Sequence, residues 1–219
     1  MLEMEGINIQ WVGHDGYRLR ANNKTIYLDP YKLSQNYNNI KDADLIFITH
    51  NHYDHLSIED IDNLINSNTK IVCSYECFEA LNKKYSKNEI VTLNPKEKSV
   101  IENIEIEAVS AYNTDKNFHP KADNKIGFII NINNLKIYHT GDTDIIPEME
   151  GINPDIAFVP VSGTYVMSAE EAAKAVNELI KPRKIAIPMH YDSIVGSIND
   201  AETFCNKVNV CKTEILKAE

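Results

Sequence analysis

The sequence predicts an α/β (α+β) fold in which two mixed β-sheets pack together and helices cover their outer faces. Short apolar strands alternate with a few amphipathic stretches, and no Pro/Gly-rich linker separates the two halves of the 219 residues. Because each sheet must bury one face, a four-layer αββα sandwich accommodates this pattern best, although periodicity alone also fits other α/β arrangements. A chain of this length suits a single domain, over residues 1–219.

The first half begins as a meander of strands at 7–12, 16–20 and 25–30, with a turn at Asn22-Asn23. A continuous apolar run, Leu45–Thr49, ends in histidines, which is typical of a buried strand that delivers a site at its C-terminal end. Ser57 is the predicted N-cap of a helix. The remaining elements of this half are a strand at 70–74, a helix at 75–85, a strand at 89–93 and one continuous strand at 101–109.

In the second half, strands at 127–132 and 135–140 flank the turn signal Asn133-Asn134. A buried strand is predicted at 156–161. Ser168 and Glu171 form a capping box that opens a helix reaching about Ile180. A strand at 184–189, a helix near 200–207 and a strand near 213–216 complete the prediction.

Composition argues against several classes of partner. The net charge is −10, from 32 acidic and 22 basic residues, and no dense basic block is present, so we expect no nucleic-acid partner. No run approaches the roughly 20 apolar residues of a membrane span, and we identify no signal peptide. The four cysteines are expected to be reduced thiols, which favours a cytoplasmic protein. The sequence contains no signal from which the oligomeric state can be predicted.

Four potential metal ligands crowd into one short run: His50, His52, Asp54 and His55. In an extended segment residues two apart point the same way, so His50 and His52 can converge on one cation. A turn immediately afterwards can aim Asp54 and His55 at a second point. Imidazole and carboxylate together suit zinc, iron or manganese. A lone histidine is more often structural, but this density after a buried strand predicts a metal site.

The run His50-x-His52-x-Asp54-His55 resembles, position by position, the signature of the metallo-β-lactamase superfamily of hydrolases. Other marks of that family follow in the expected order at 27–30 (Tyr-Leu-Asp-Pro), 138–143 (Tyr-His-Thr-Gly-Asp-Thr) and 187–191 (Ile-Pro-Met-His-Tyr). The segment Gly13–Tyr17 and the small size resemble the branch that contains ascorbate-phosphate lactonase and phosphodiesterase-like enzymes.

The resemblance implies a dinuclear site with two divalent metal ions, zinc first, with manganese or iron as alternatives. It assigns the ligands as follows: His50 and His52 for the first metal; Asp54, His55 and His190 for the second; and Asp142 as the bridge. It also implies that Asp29 braces a ligating histidine by hydrogen bonding. The structural alternatives are that Asp142 caps a turn and that His190 belongs to the core.

The third ligand of the first metal is where the sequence departs from the family. The family usually has a histidine just after the strand that ends near Ala111, and this chain has Tyr112-Asn113 there. The nearest histidine is His119, which a folded-back loop would bring in as a ligand. Otherwise His119 is a loop residue that contacts substrate or nothing, and a mononuclear enzyme results.

Three further residues have two interpretations each. His139 adjoins the Gly-Asp turn but points away from it in a strand, which favours a buried, hydrogen-bonded role. His14 follows the first predicted strand and is a candidate for the pocket rim or for supporting a ligand. Tyr165, in the loop Ser162–Tyr165, is a candidate substrate contact or a packing residue.

The resemblance implies a metal-dependent hydrolase in which a metal-activated hydroxide attacks carbon or phosphorus. Asp54 would be the catalytic residue that orients the hydroxide and carries a proton to the leaving group. We expect a small-molecule ester, lactone or phosphodiester as substrate. The alternatives are a nuclease, which the acidic charge disfavours, and a non-hydrolytic metal-binding or redox protein.

Overall fold

The structure, a computed structural model, describes residues 1–219, which divide into two compact units. The first unit comprises Met1–Leu93 with Leu216–Glu219, and the second comprises Asn94–Ile215. None of the helices has both the length and the apolar character that crossing a membrane requires.

The first unit contains a seven-stranded sheet whose strands lie in chain order. Its strands are β1 (Leu2–Met4), β2 (Ile7–Gly13), β3 (Gly16–Ala21), β4 (Lys24–Leu28), β5 (Leu45–Ile48), β6 (Lys70–Ser74) and β7 (Ile90–Leu93). The pairs from β1 to β4 are antiparallel, and those from β4 to β7 are parallel. Its helices are α1 (Ile58–Leu64) and α2 (Phe78–Tyr85).

The core of the first unit forms where these helices cover the sheet. Strand β5 is buried along its whole length, as its continuous apolar run predicts. Its Ile46 and Ile48 join one hydrophobic cluster with Ile61 and Leu64 of α1. The hydroxyl of Ser57 accepts a hydrogen bond from the backbone N–H of Asp60, so the predicted N-cap of α1 is confirmed.

The second unit contains another seven-stranded sheet, in the order β14-β13-β12-β11-β10-β9-β8. Its strands are β8 (Lys98–Ile101), β9 (Ile104–Ser110), β10 (Ile126–Ile132), β11 (Leu135–His139), β12 (Ile156–Pro160), β13 (Ile185–Met189) and β14 (Lys212–Thr213). The pairs from β8 to β11 are antiparallel, and those from β11 to β14 are parallel. Its helices are α3 (Ala169–Ala175) and α4 (Ile198–Lys207).

The prediction of two mixed sheets with helices is confirmed, but two strand predictions were wrong in detail. The single strand expected at 101–109 is the hairpin β8–β9, because Glu102 and Asn103 both adopt positive φ, at 52° and 63°. The helix expected to reach Ile180 is confirmed: it is α-helical to Ala175 and continues as a π-helix over Val176–Ile180. The last strand is shorter than expected, since β14 ends at Thr213.

Within each sheet the parallel strands carry the chemically interesting residues just beyond their C-terminal ends. Asp29 follows β4, and Thr49 with His50 follows β5. In the second unit, Asp142 comes shortly after β11 and His190 directly after β13. The carboxyl ends of parallel strands are where α/β proteins place their ligands. The topology of each unit therefore gathers its candidate ligands at one edge of its own sheet.

Candidate metal centre

The buried carboxylate of Asp29 organises the ligand candidates of the first unit. Its Oδ1 accepts a hydrogen bond from the backbone N–H of Thr49 at 2.8 Å. Its Oδ2 accepts from the Thr49 hydroxyl at 2.5 Å and lies 2.8 Å from Nδ1 of His55. A buried carboxylate requires such donors to offset its lost hydration. Asp29 thus fixes both the end of β5 and the orientation of the His55 ring.

The hydrogen bonds also determine which ring nitrogen faces a cation in His50 and His55. Since the Thr49 hydroxyl donates its proton to Asp29, it accepts from Nδ1 of His50, at 3.0 Å. The Asp29 carboxylate likewise accepts from Nδ1 of His55. Because Nδ1 carries the proton in both rings, Nε2 has the lone pair and is the atom available to a metal ion.

A tight turn brings the remaining residues of the run together. The backbone N–H groups of His55 and Leu56 both donate to the carbonyl of His52, at 3.0 Å and 2.8 Å. The ring centroid of His50 lies 4.6 Å from that of His52 and 4.0 Å from that of His55. The structure therefore places the three imidazoles of the run side by side.

Asp54 lies against His14, which comes from the tight β2–β3 turn. Oδ2 of Asp54 is 3.1 Å from Nε2 of His14 and 4.0 Å from Nε2 of His55. His14 is buried and has a φ of 50°, and its carbonyl accepts a hydrogen bond from the Trp11 indole at 2.8 Å. The chain thus holds His14 where it can orient the Asp54 carboxylate.

In the second unit, two imidazoles converge on one carboxylate. Nε2 of His119 and Nε2 of His190 each lie 3.3 Å from Oδ2 of Asp142. All three side chains are almost fully buried. The loop that follows β9 does fold back, and the structure brings His119 to the residue that the resemblance assigns as the metal bridge.

Asn113 holds His119 in this position. Its Oδ1 accepts from the backbone N–H of His119 at 2.9 Å and lies 3.1 Å from Nδ1 of the same ring. The backbone N–H of Asn113 donates to the His119 carbonyl at 2.8 Å. Since an amide oxygen only accepts, Nδ1 of His119 carries the proton and Nε2 has the lone pair.

Hydrogen bonds connect the loop between Asn113 and His119 to the turn that carries Asp142. The backbone N–H of Asp144 donates to the Tyr112 carbonyl at 3.0 Å. The Asp144 carboxylate accepts from the backbone N–H of Thr114 and from the Lys116 ammonium, both at 2.8 Å. Because Asp144 and Asp142 share one turn, these bonds place the loop beside Asp142.

His190 has a φ of 58°, and its Nδ1 lies 2.9 Å from the hydroxyl oxygen of Ser162, which follows β12. His139 is fully buried, and its Nδ1 accepts from the backbone N–H of Gly141 at 3.2 Å, the buried hydrogen-bonded position that we expected. Tyr165 is half-buried, and its ring packs edge-on against Phe118, with centroids 4.7 Å apart.

Three residues of this arrangement had no predicted role: Thr49, Asn113 and Ser162. Each contacts Nδ1 of a candidate ligand through an oxygen atom. Of the three, only Thr49 could have been found from the sequence, because it directly precedes the histidine run. Ser162 and His190 are far apart in sequence, and no spacing pattern predicts their contact.

The donor set fits a divalent transition metal. It consists of carboxylates and imidazoles, all buried except the half-buried His52, and these are the groups that zinc, manganese and iron accept as ligands. His50, His55, His119 and His190 each have Nδ1 engaged with an oxygen atom. This outer support is typical of metal-ligating histidines, because it fixes both ring orientation and tautomer.

Comparison with known proteins identifies the family of this chain. A profile of the beta-lactamase superfamily domain matches residues 8–190. The chain is 35% identical over 210 residues to a UPF0173 metal-dependent hydrolase of Thermoplasma acidophilum, covering 92% of this chain and 90% of the relative. It is 32% identical over 211 residues to one of Pyrococcus horikoshii, covering 90% of each.

Among solved structures, a protein of Parabacteroides distasonis assigned as a metal-dependent hydrolase aligns with a TM-score of 0.82 and 30% identity, over 97% of this chain and 94% of that one. The fold and the family match define a metal-dependent hydrolase. The chain belongs to the beta-lactamase superfamily, as a member of its metallo-β-lactamase fold.

Proposed function

We propose that this enzyme hydrolyses a small-molecule ester, lactone or phosphodiester at a dinuclear centre. The proposed ligands are His50, His52 and His119 for one divalent ion, Asp54, His55 and His190 for the other, and Asp142 for both. Zinc is the first choice of metal, with manganese or iron as alternatives, because all three accept this donor set.

The convergence of His119 and His190 on Asp142 is the observation that carries the proposal. Two Nε2 atoms lie 3.3 Å from one carboxylate oxygen, and all three side chains are nearly fully buried. Imidazole nitrogen and carboxylate oxygen are the ligand atoms that zinc, manganese and iron accept. In the first unit, Asp29 supports His55 in the way that a bracing carboxylate supports a ligand.

When bound, the metal ions lower the pKa of a water molecule and polarise the substrate oxygen. The protein supplies the proton path. Asp54 orients the attacking water through Oδ2 and passes its proton to the leaving group. His14, 3.1 Å from that oxygen, keeps the carboxylate in one orientation during the transfer. Positioning of this kind lowers the barrier because the reacting groups are already aligned.

The surface charge supports a small substrate in place of a nucleic acid. The net charge is −10, and Arg18 and Arg183 are both paired with carboxylates, those of Asp42 and Asp155. The net negative charge therefore repels a polyanion such as a nucleic acid, and two of the arginines that could bind its phosphates are already paired with carboxylates. The four cysteines are thiols, which supports a cytoplasmic location as part of the proposal.

The test is a metal and substrate survey of three proteins: wild type, Asp54→Asn, and Glu79→Gln as a matched control on the exposed surface of α2. Each is purified without chelator, its metal content is measured by mass spectrometry, and esters, lactones and phosphodiesters are screened. We expect one class to be hydrolysed by wild type and control, with turnover about 10²–10⁴-fold lower in Asp54→Asn. Absence of turnover in every class by metal-loaded wild type contradicts the proposal.

A further inference from the structure

We propose that Phe118 and Tyr165 form an apolar wall that binds an uncharged aromatic group of the substrate next to the His119 ligand position. This inference rests on the proposed function and assigns a chemical class to the part of the substrate that is not cleaved. The segment involved lies entirely within the second unit.

The two rings meet edge to face, and Phe118 directly precedes His119 in the chain. Their centroids are 4.7 Å apart and their planes are inclined by 87°. His119 is nearly fully buried, whereas its neighbour Phe118 is 48% exposed. Phe118 thus combines an exposed ring with a chain position next to a buried candidate ligand. An exposed aromatic ring beside a candidate metal ligand offers apolar area that a substrate can cover.

The wall is preorganised by a single side chain. Asn113 accepts from the backbone N–H of His119 through Oδ1, at 2.9 Å, and donates through Nδ2 to the Tyr165 carbonyl, also at 2.9 Å. One amide thus connects the loop of Phe118 to the loop of Tyr165. Because the two loops are tied together and the rings already contact each other, little entropy is lost when a ligand packs against them.

The charges around Phe118 favour an uncharged group. Lys116 is bound to the carboxylates of Asp115 and Asp144, at 2.7 Å and 2.8 Å. Lys121 lies 2.8 Å from the carboxylate of Glu148. The lysines on either side of Phe118 are therefore committed to acidic partners. A phosphate or carboxylate placed against this wall would compete with those carboxylates, whereas an aromatic ring would not.

The first test compares matched substrates that differ by one phenyl group: methyl acetate with methyl phenylacetate, δ-valerolactone with its 3-phenyl analogue, and dimethyl phosphate with benzyl methyl phosphate. Within the class that turns over, we expect Phe118→Ala and Tyr165→Ala to lower kcat/KM for the phenyl member about tenfold, through KM, which equals about 1.4 kcal/mol. The kcat/KM for the phenyl-free member should fall less than that for the phenyl member, and the metal content should stay at the wild-type value. Val210→Ala removes a side chain of similar exposure, 45%, and serves as the control.

The second test does not depend on turnover. Binding of N-benzylacetamide and of N-methylacetamide to the metal-loaded protein is followed by NMR titration. We expect wild type and Val210→Ala to prefer the benzyl compound and Phe118→Ala to lose that preference, with Phe118→Leu intermediate. Equal binding of the benzyl compound by wild type and Phe118→Ala overturns the inference even if an ester is hydrolysed. If Phe118→Ala loses the preference for the benzyl compound but the wild type hydrolyses no substrate, the proposed function alone is contradicted and the inference about Phe118 stands.

Discussion

Nε2 of His119 lies 3.3 Å from Oδ2 of Asp142, and both side chains are almost fully buried. This relationship shows how a chain that lacks a histidine directly after β9 still places an imidazole beside the Gly-Asp turn. The loop folds back at Asn113, and the side-chain oxygen of Asn113 accepts a hydrogen bond from Nδ1 of His119. We interpret Asn113 as a positioning residue, since it acts through His119.

Asn113 makes two separable contacts, which two variants distinguish. Asn113→Ala removes both and should weaken metal binding about 10–100-fold, as loss of a supporting residue does. Asn113→Asp keeps the oxygen that accepts from His119 but loses the donor to the Tyr165 carbonyl. We expect it to retain most of the metal affinity while raising KM. Competition with a chelating dye, together with steady-state kinetics, measures both; identical metal affinity in Asn113→Ala and wild type would refute the role.

Asp29 should control metal affinity without touching substrate. Asp29→Asn leaves an acceptor for the Thr49 N–H but cannot accept from both the Thr49 hydroxyl and Nδ1 of His55. We expect metal affinity to fall about 10–100-fold. Thr49→Ser, which keeps the hydroxyl, is the matched control and should bind metal like wild type. If Asp29→Asn binds metal as tightly as wild type in the same dye competition, Asp29 does not control metal affinity.

Gly127 in β10 is expected to be intolerant of any side chain. A Cβ at this position would lie 2.4 Å from the Thr140 carbonyl oxygen and 2.5 Å from that of His139. Both contacts are to backbone, so relief requires movement of β10 against β11. We expect Gly127→Ala to lower the free energy of unfolding by about 1–3 kcal/mol or more, measured by urea denaturation. Asn131→Ala, on the same strand, is the control; equal stability of the two variants would contradict the steric argument.

The cysteines should differ in their reaction with a thiol-specific alkylating reagent. Burial raises the pKa of the Cys73 thiol to about 12 and that of Cys211 to about 11, and it also raises the pKa of Cys77. Because the thiolate is the reactive form, all three should react slowly near pH 8 and faster as pH rises. The partly exposed Cys211 and Cys205 should react before the buried pair Cys73 and Cys77.

Mass spectrometry of timed alkylation reactions assigns each site. In urea all four thiols should react at similar rates, which controls for reagent access. Early modification of Cys73 or Cys77 in the folded protein would show that the first-unit core is more open than described.

The two-sheet architecture and most strands could be predicted because apolar periodicity and turn residues are local signals. The β8–β9 hairpin escaped prediction because Glu102-Asn103 lacks the glycine that marks such a turn. Among the candidate ligands, the histidine run was visible in one short segment. The position of His119 was not, because it depends on hydrogen bonds from Asn113 and on the anchoring of the loop by Asp144. The contact of Ser162 with His190 joins two strand ends that only the parallel sheet brings together.

Metal stoichiometry tests the central claim most directly. The protein is loaded with zinc, dialysed against metal-free buffer, and its bound metal is measured by mass spectrometry for wild type, His119→Gln, Asp142→Asn and the control Glu79→Gln. A dinuclear centre predicts about two ions per chain in wild type and control, as in other two-metal hydrolytic sites. It also predicts about one ion in His119→Gln and fewer than two in Asp142→Asn. A wild-type protein that retains no metal, or a His119→Gln variant with wild-type content, would contradict the account.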